Sequence, residues 1–155
     1  MNKILYFKDK YKPFSNFFPA KVIFEDITFP TVEHAYVAAK TLNISARRDI
    51  AMIPAGEAGK AKRKGRYLVL RTDWEKVKFK IMEDLLRQKF SKEAFKNLLL
   101  ETKDSVIIEG NYWHDNTWGD CLCSKCQNIP GQNRLGKLLM EIRRDLERTK
   151  SISFG

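Results

Sequence analysis

The sequence predicts one domain, mostly helical with a few short strands, and three observations carry that prediction. Apolar residues recur at helical spacing in the second half of the chain: Trp74, Val77, Ile81 and Leu85; Phe95, Leu98 and Leu99; Leu135, Leu138, Leu139, Ile142 and Leu146. Runs that suit strands are only three or four residues long. The 155 residues, 43% of them hydrophobic, suffice to bury a core without staples, and no linker, repeat or low-complexity segment divides them. The domain is expected to span residues 1–149, with 150–155 a frayed tail.

Taken in order, Ile4 to Phe7 reads as a short strand and Lys8 to Lys12 as a polar turn. Pro13 and Pro19 bracket Phe14, Ser15, Asn16, Phe17 and Phe18, a rigid loop in which aromatic rings pack and Ser15 and Asn16 offer polar atoms. Val22–Phe24 and Ile27–Phe29, separated by Glu25 and Asp26, read as a hairpin. It feeds a helix from about Pro30 to Lys40, with Thr31 able to cap the first turn and Glu33 at the positive end of the helix dipole. At 3.6 residues per turn Glu33, Tyr36 and Lys40 share a face, with the acid and the lysine roughly 10 Å apart along it. That face can hold chemistry, although an N-terminal acid and a solvated lysine would look the same.

Beyond Lys40 the pattern loosens and resumes near Arg48; Gly56 and Gly59 interrupt any long helix. Lys60 to Arg71 holds six cations, Arg63 and Arg66 among them, and no acid, so it is the leading candidate for phosphate contact. Thr72 and Glu75 have the spacing of a capping box for a helix to about Phe90. A second helix follows from Ser91, then a strand at Val106–Ile108, and a last helix opens at Gly131–Gly136.

Lys and Arg outnumber Asp and Glu by 29 to 19, a net charge of +10, which favours a phosphorylated or polyanionic partner. No apolar run is long enough to span a membrane and the N-terminus lacks a signal-type apolar core, so a soluble, cytoplasmic protein is expected. Asn111 to Asp120 packs two Trp, His114, two Asp and two Asn into ten residues; Trp113 or Trp118 can stack a base, and Asp115 or Asp120 can hold a hydroxyl or orient water. All three cysteines, Cys121, Cys123 and Cys126, follow directly. With His114 they would suit structural Zn²⁺, but the paired C-x₂-C knuckles of common zinc modules are absent, and free thiols are the expected state.

F-S-N-F (Phe14 to Phe17), F-P-T-V-E-H-A-Y (Phe29 to Tyr36) with Lys40, D-W (Asp73-Trp74) before a helix carrying Met82, W-G-D (Trp118 to Asp120) and N-x-L-G-x-x-L-M-x-x-R (Asn133 to Arg143) together resemble the YbiA/NADAR family, in family order and across nearly the whole chain. The resemblance implies an α+β, YbiA-like fold and N-glycosidase activity. Some members act on ribosylated pyrimidine intermediates of riboflavin synthesis; others remove ADP-ribose from modified guanine in nucleic acid. The cysteine cluster departs from several relatives.

On that resemblance Glu33 is the first choice, ahead of Asp115, to stabilise an oxocarbenium-like state or activate water, while Lys40 offers an amine nucleophile. Phe14, Phe17 and Trp118 would stack the base. Ser15, Asn16, His34, Gly119 and Asn133 would complete the substrate site, and Arg63 and Arg66 would meet phosphate. No cofactor is required. The expected reaction removes ADP-ribose from guanine, with a phosphoribosylated pyrimidine of riboflavin synthesis as the alternative substrate and a non-catalytic ADP-ribose or nucleic-acid binding module as the alternative class.

Overall fold

The computed structural model describes residues 2–153. It is an α+β fold, mostly helical, and the strands among the described residues form three short two-stranded ladders. The chain groups into two compact units, Pro13–Ser91 and Met1–Lys12 with Lys92–Gly155.

Pro13–Ser91 holds strands β2 (Val22–Phe24) and β3 (Ile27–Phe29) and helices α1 (Val32–Ala38), α2 (Ile44–Ala51), α3 (Ala58–Lys64) and α4 (Trp74–Lys89). The antiparallel hairpin is the expected one, closed by Glu25 and Asp26, both in the left-handed region at φ 43° and 69°, as a tight two-residue turn requires. Helix α1 packs against α2, α3 and α4 with Val32, Ala35, Val37 and Ala38 fully buried. Burying a side chain such as Val37 stabilises the unit by about 1.5–3 kcal/mol. Thr31 caps α1 as its sequence predicts, its Oγ1 accepting the His34 N–H at 3.0 Å.

Two expectations change here. The capping box is not formed: α4 starts at Trp74, Asp73 is drawn into a two-pronged pair with Arg71, and Glu75 pairs with Lys78. Lys78 takes the Glu75 carboxylate of the expected box, and Asp73 rather than Thr72 stands at the N-cap. Helix α2 occupies the stretch where the pattern loosens. Asn43 caps it through the Ala46 N–H, and buried Arg47 binds both the Thr41 carbonyl and Glu25 in the hairpin turn.

The other unit holds β1 (Lys3–Ile4), α5 (Glu93–Glu101), β4 (Val106–Ile107), β5 (Gly110–Asn111), β6 (Asp120–Cys121) and α6 (Arg134–Ser153). β1 pairs with β4 and β5 with β6, both parallel. The first strand is shorter than expected and starts one residue earlier. β5 and β6 bound the polar stretch from Asn111 to Asp120. Helix α6 packs on α5 and β4 and continues through Lys150 to Ser153, so the segment expected to fray is helical that far; Phe154 and Gly155 lie outside the described residues. No helix among the described residues is long and apolar enough to cross a membrane.

Candidate functional site

The Pro13–Ser91 unit gathers a polar group around the start of α1. The 13–19 loop is fastened by backbone and side-chain contacts: the Ser15 carbonyl accepts from Phe18 N and from the Lys89 ammonium at 2.9 Å, and the Asn16 carbonyl accepts the Glu33 N–H at 3.1 Å. The backbone of Asn16 is therefore tied to the first turn of α1 at Glu33. Its side chain is buried, and among the described residues its Nδ2 reaches only the Met82 sulfur at 3.6 Å and its Oδ1 has no hydrogen-bond partner. A buried acceptor without a donor is costly, and such groups concentrate where a ligand will supply the missing bond.

Lys40 follows the end of α1, with its carbonyl taken by Arg71 N at 2.7 Å. Its ammonium lies 5.8 Å from the centre of the Tyr36 ring, which in turn packs on Trp74 at 5.1 Å. Burial pushes the Lys40 pKa below the usual lysine range; the Glu33 carboxylate opposes this, and the Lys62 and Lys78 ammoniums reinforce it. The expected helix stops at Ala38, so Lys40 sits in the turn after α1 rather than on its face. Lys62 also sits over the Phe17 ring at 5.8 Å, and Phe17 is itself 40% exposed, an apolar face open to a flat ligand. Arg63 Nη1 and the Phe17 ring edge both border the space above Gly59. This unit therefore collects Asn16, Phe17, Glu33, Lys40 and Arg63, with Lys62 and Lys78 added. Arg66 is exposed on the turn after α3.

Three expected ligand contacts in this unit have structural work instead. Phe14 is fully buried against Phe90, so its ring is core and not a stacking face. Ser15 Oγ accepts Phe17 N at 3.1 Å and shapes the loop. His34 is fully buried, with Nδ1 2.6 Å from Thr31 Oγ1 and Nε2 3.1 Å from the Ile53 carbonyl. A carbonyl can only accept, so Nε2 carries the proton and Nδ1 accepts from the threonine hydroxyl, leaving neither nitrogen for substrate. Burial lowers the His34 pKa against its backbone hydrogen bonds, which keeps the ring neutral.

In the other unit, the polar loop binds chiefly itself. Asp115 Oδ1 accepts from Thr117 N and Trp118 N, and Asn111 grips both the N–H and the carbonyl of Asp115. Carbonyls of Thr117 and Trp118 accept the Arg134 and Leu135 N–H groups that open α6. A Cβ on Gly119 would lie 2.2 Å from the Glu109 carbonyl, so only glycine fits. Asn133, at φ 48°, accepts from Glu109 N and donates to the Ile107 carbonyl, both at 2.9 Å. Asp115, Gly119 and Asn133 are thus organisers of this unit, while half-buried Trp118 keeps a ring that can stack.

The sequence does not point to Lys78, and points to Tyr36 and Lys62 only through the Glu33–Lys40 face and the basic run. The signal for Lys62 lay in the basic run, but its sequence does not single one cation out of six.

Residues 5–147 match the NADAR domain. The chain is 36% identical over 139 residues to the N-glycosidase YbiA of Escherichia coli, covering 89% of this chain and 83% of that one. It is 35% identical over 159 residues to an N-glycosidase of Nostoc punctiforme, covering 96% of each. A Zea mays riboflavin biosynthesis protein, PYRR, is 35% identical over 163 residues, which span 94% of this chain and 25% of that protein. The fold is similar to the NMR structure of E. coli YbiA, with a TM-score of 0.78, 36% identity, and coverage of 97% of this chain and 89% of that one.

Proposed function

This chain belongs to the NADAR domain family, and from that premise we propose that it is a hydrolase cleaving the N-glycosidic bond between a phosphorylated ribosyl group and a nucleobase, with ADP-ribosylated guanine as the preferred substrate. The observation that carries the reading is Lys40, half-buried and shifted toward its neutral amine, coupled to Glu33 and flanked by Lys62 and Lys78.

Cleavage of such a bond passes through an oxocarbenium-like state at the anomeric carbon. A carboxylate at Glu33 stabilises that positive charge. In the hydrolytic route Glu33 takes a proton from water, the water oxygen bonds to the anomeric carbon, and the base leaves with the electron pair of the broken C–N bond and picks up a proton. The depressed Lys40 pKa favours a second route through the same pair. The neutral amine bonds to the anomeric carbon as the base departs with the C–N electron pair and takes a proton from solvent, and one proton of the new ammonium passes to Glu33. The ring oxygen then leaves the anomeric carbon and takes that proton back from Glu33 to become a hydroxyl, giving a Schiff base, and water hydrolyses the imine to restore Lys40 and release the sugar. Lys62 and Arg63 suit a phosphate or pyrophosphate, and Phe17 suits the base.

The net charge of +10 favours ADP-ribosylated guanine, including guanine within nucleic acid. The riboflavin biosynthesis name of the maize relative favours the second reading, a phosphoribosylated pyrimidine. Purified protein given ADP-ribosylated guanosine, the same base in an oligonucleotide, and the phosphorylated pyrimidine intermediate separates them by mass spectrometry. Release of ADP-ribose supports the first reading; release of the pyrimidine base alone replaces it with the second. No turnover of any of the three overturns both.

A further inference from the structure

In the unit containing β5, β6 and α6, His114, Cys121, Cys123 and Cys126 converge. Their ligand atoms all lie within 4.8 Å of one another. His114 Nδ1 is 3.3 Å from Cys126 Sγ, 3.4 Å from Cys123 Sγ and 3.9 Å from Cys121 Sγ. A ring nitrogen has one in-plane direction for one hydrogen or one lone pair, so it cannot make three hydrogen bonds to three sulfurs. A single cation at the centre satisfies all four. With Zn–S near 2.3 Å and Zn–N near 2.0–2.1 Å, a tetrahedral site has N–S edges of about 3.6 Å, in the middle of the separations present.

We propose that these four residues form a structural Zn²⁺ site of the Cys₃His type. The set is closed by four protein ligands, the mark of a structural rather than a catalytic zinc. Cys123 and Cys126 do form one C-x₂-C step, on a short 3-10 turn whose Cys126 N–H is held by the Cys123 carbonyl at 3.1 Å. Cys121 is fixed on β6 by its N–H bond to Asn116 Oδ1 at 2.9 Å, and His114 reaches the cluster from a left-handed backbone at φ 68°. The left-handed turn is an unfavourable conformation for a non-glycine residue, and a metal bond from its side chain supplies a reason to hold it. Binding displaces three thiol protons as three Zn–S bonds form and leaves His114 neutral, so three thiolates and Zn²⁺ give a site of net charge −1.

Zinc here closes a loop with two distinct ends. His114 stands at the start of the turn that Asp115 organises, and the cysteines lie beyond Trp118 and Gly119, whose carbonyls accept the Leu135 and Asn133 N–H groups at the head of α6. The metal therefore staples the segment that seats the last helix. It goes beyond the proposed reaction and does not depend on it.

The test is metal analysis of untagged protein, with thiol titration in the folded state and Co²⁺ exchange. One Zn²⁺ per chain, three thiols that react only after chelation, a tetrahedral Co²⁺ absorption spectrum with sulfur charge transfer, and a lowered Tm on chelation are expected. His114→Ala should weaken Zn²⁺ binding by at least the roughly 10–100-fold that loss of an outer-shell partner costs, while His114→Cys keeps four ligands and the metal. Folded wild-type protein with no zinc uptake and three freely reactive thiols overturns the proposal, as does retention of full affinity in His114→Ala. Should the variants not fold, wild-type stoichiometry and thiol protection decide alone.

Discussion

The start of α1 and the loop from Asn111 to Asn133 are both rich in polar side chains, yet they use them in opposite ways. In the loop, Asn111, Asp115, Asn116 and Asn133 each bond to backbone atoms, converting irregular chain into a rigid support for α6. Around α1, Asn16 Oδ1 is buried without a donor among the described residues, and Lys40 is held partly out of water beside other cations. Polar abundance marks either structure or function; polar demand left unmet by the protein marks a place built for something else to enter.

The comparison breaks most decisively at Lys40. Lys40→Met should lower kcat by about 10²–10⁴-fold, the range of a group acting on the reacting atoms, with Tm held or raised because a desolvated ammonium is removed. Borohydride should trap a covalent adduct in the wild type and none in the variant if the amine route operates. Asn133→Ala should do the reverse. It leaves Glu109 N and the Ile107 carbonyl without their partner and should destabilise the fold by about 2–4 kcal/mol in chemical denaturation.

Asn16→Leu is a smaller and sharper probe. Substrate affinity should fall by about tenfold, the worth of one hydrogen bond, while Tm does not fall, since the lost acceptor has no donor among the described residues. A drop in Tm with unchanged affinity would move Asn16 to the structural side. The smallest effect is a pH dependence at His34. Its folded pKa is depressed below 6.5 by burial, so between that value and 6.5 the unfolded chain binds more protons. Unfolding free energy should therefore decline as pH falls through that window, by no more than about 1.4 kcal/mol per pH unit from this group. Denaturation midpoints followed from about pH 7 downward measure it, with His34→Asn flattening the slope.

Much of this was legible where local chemistry decides. Thr31 before an alanine-rich segment, the Glu25-Asp26 turn and the apolar stripe of α6 each specify their element from neighbours in sequence. Helix α2 was hidden because its anchor is distant: Arg47 finds Glu25 22 residues earlier, and half of its own residues are polar. The Thr72 capping pattern misled because Lys78 captured Glu75 and the helix starts one residue later, behind Asp73. Helical spacing paired Glu33 with Lys40, but α1 ends at Ala38 and Lys40 lies in the turn beyond its cap. The structural use of His34, Asp115 and Asn133 was not legible, because it depends on which carbonyls and N–H groups the folded backbone brings within reach.

The most direct measurement sets the two candidate carboxylates against each other: single-turnover cleavage of the preferred substrate by Glu33→Gln and Asp115→Asn, with Tm recorded for both. Glu33→Gln should bind substrate and lose turnover by about 10²-fold or more, whereas Asp115→Asn, which keeps the Oδ1 acceptor for Thr117 and Trp118, should turn over at a rate close to wild type. Wild-type cleavage by Glu33→Gln with loss in a folded Asp115→Asn would place the chemistry in the wrong unit and contradict the account.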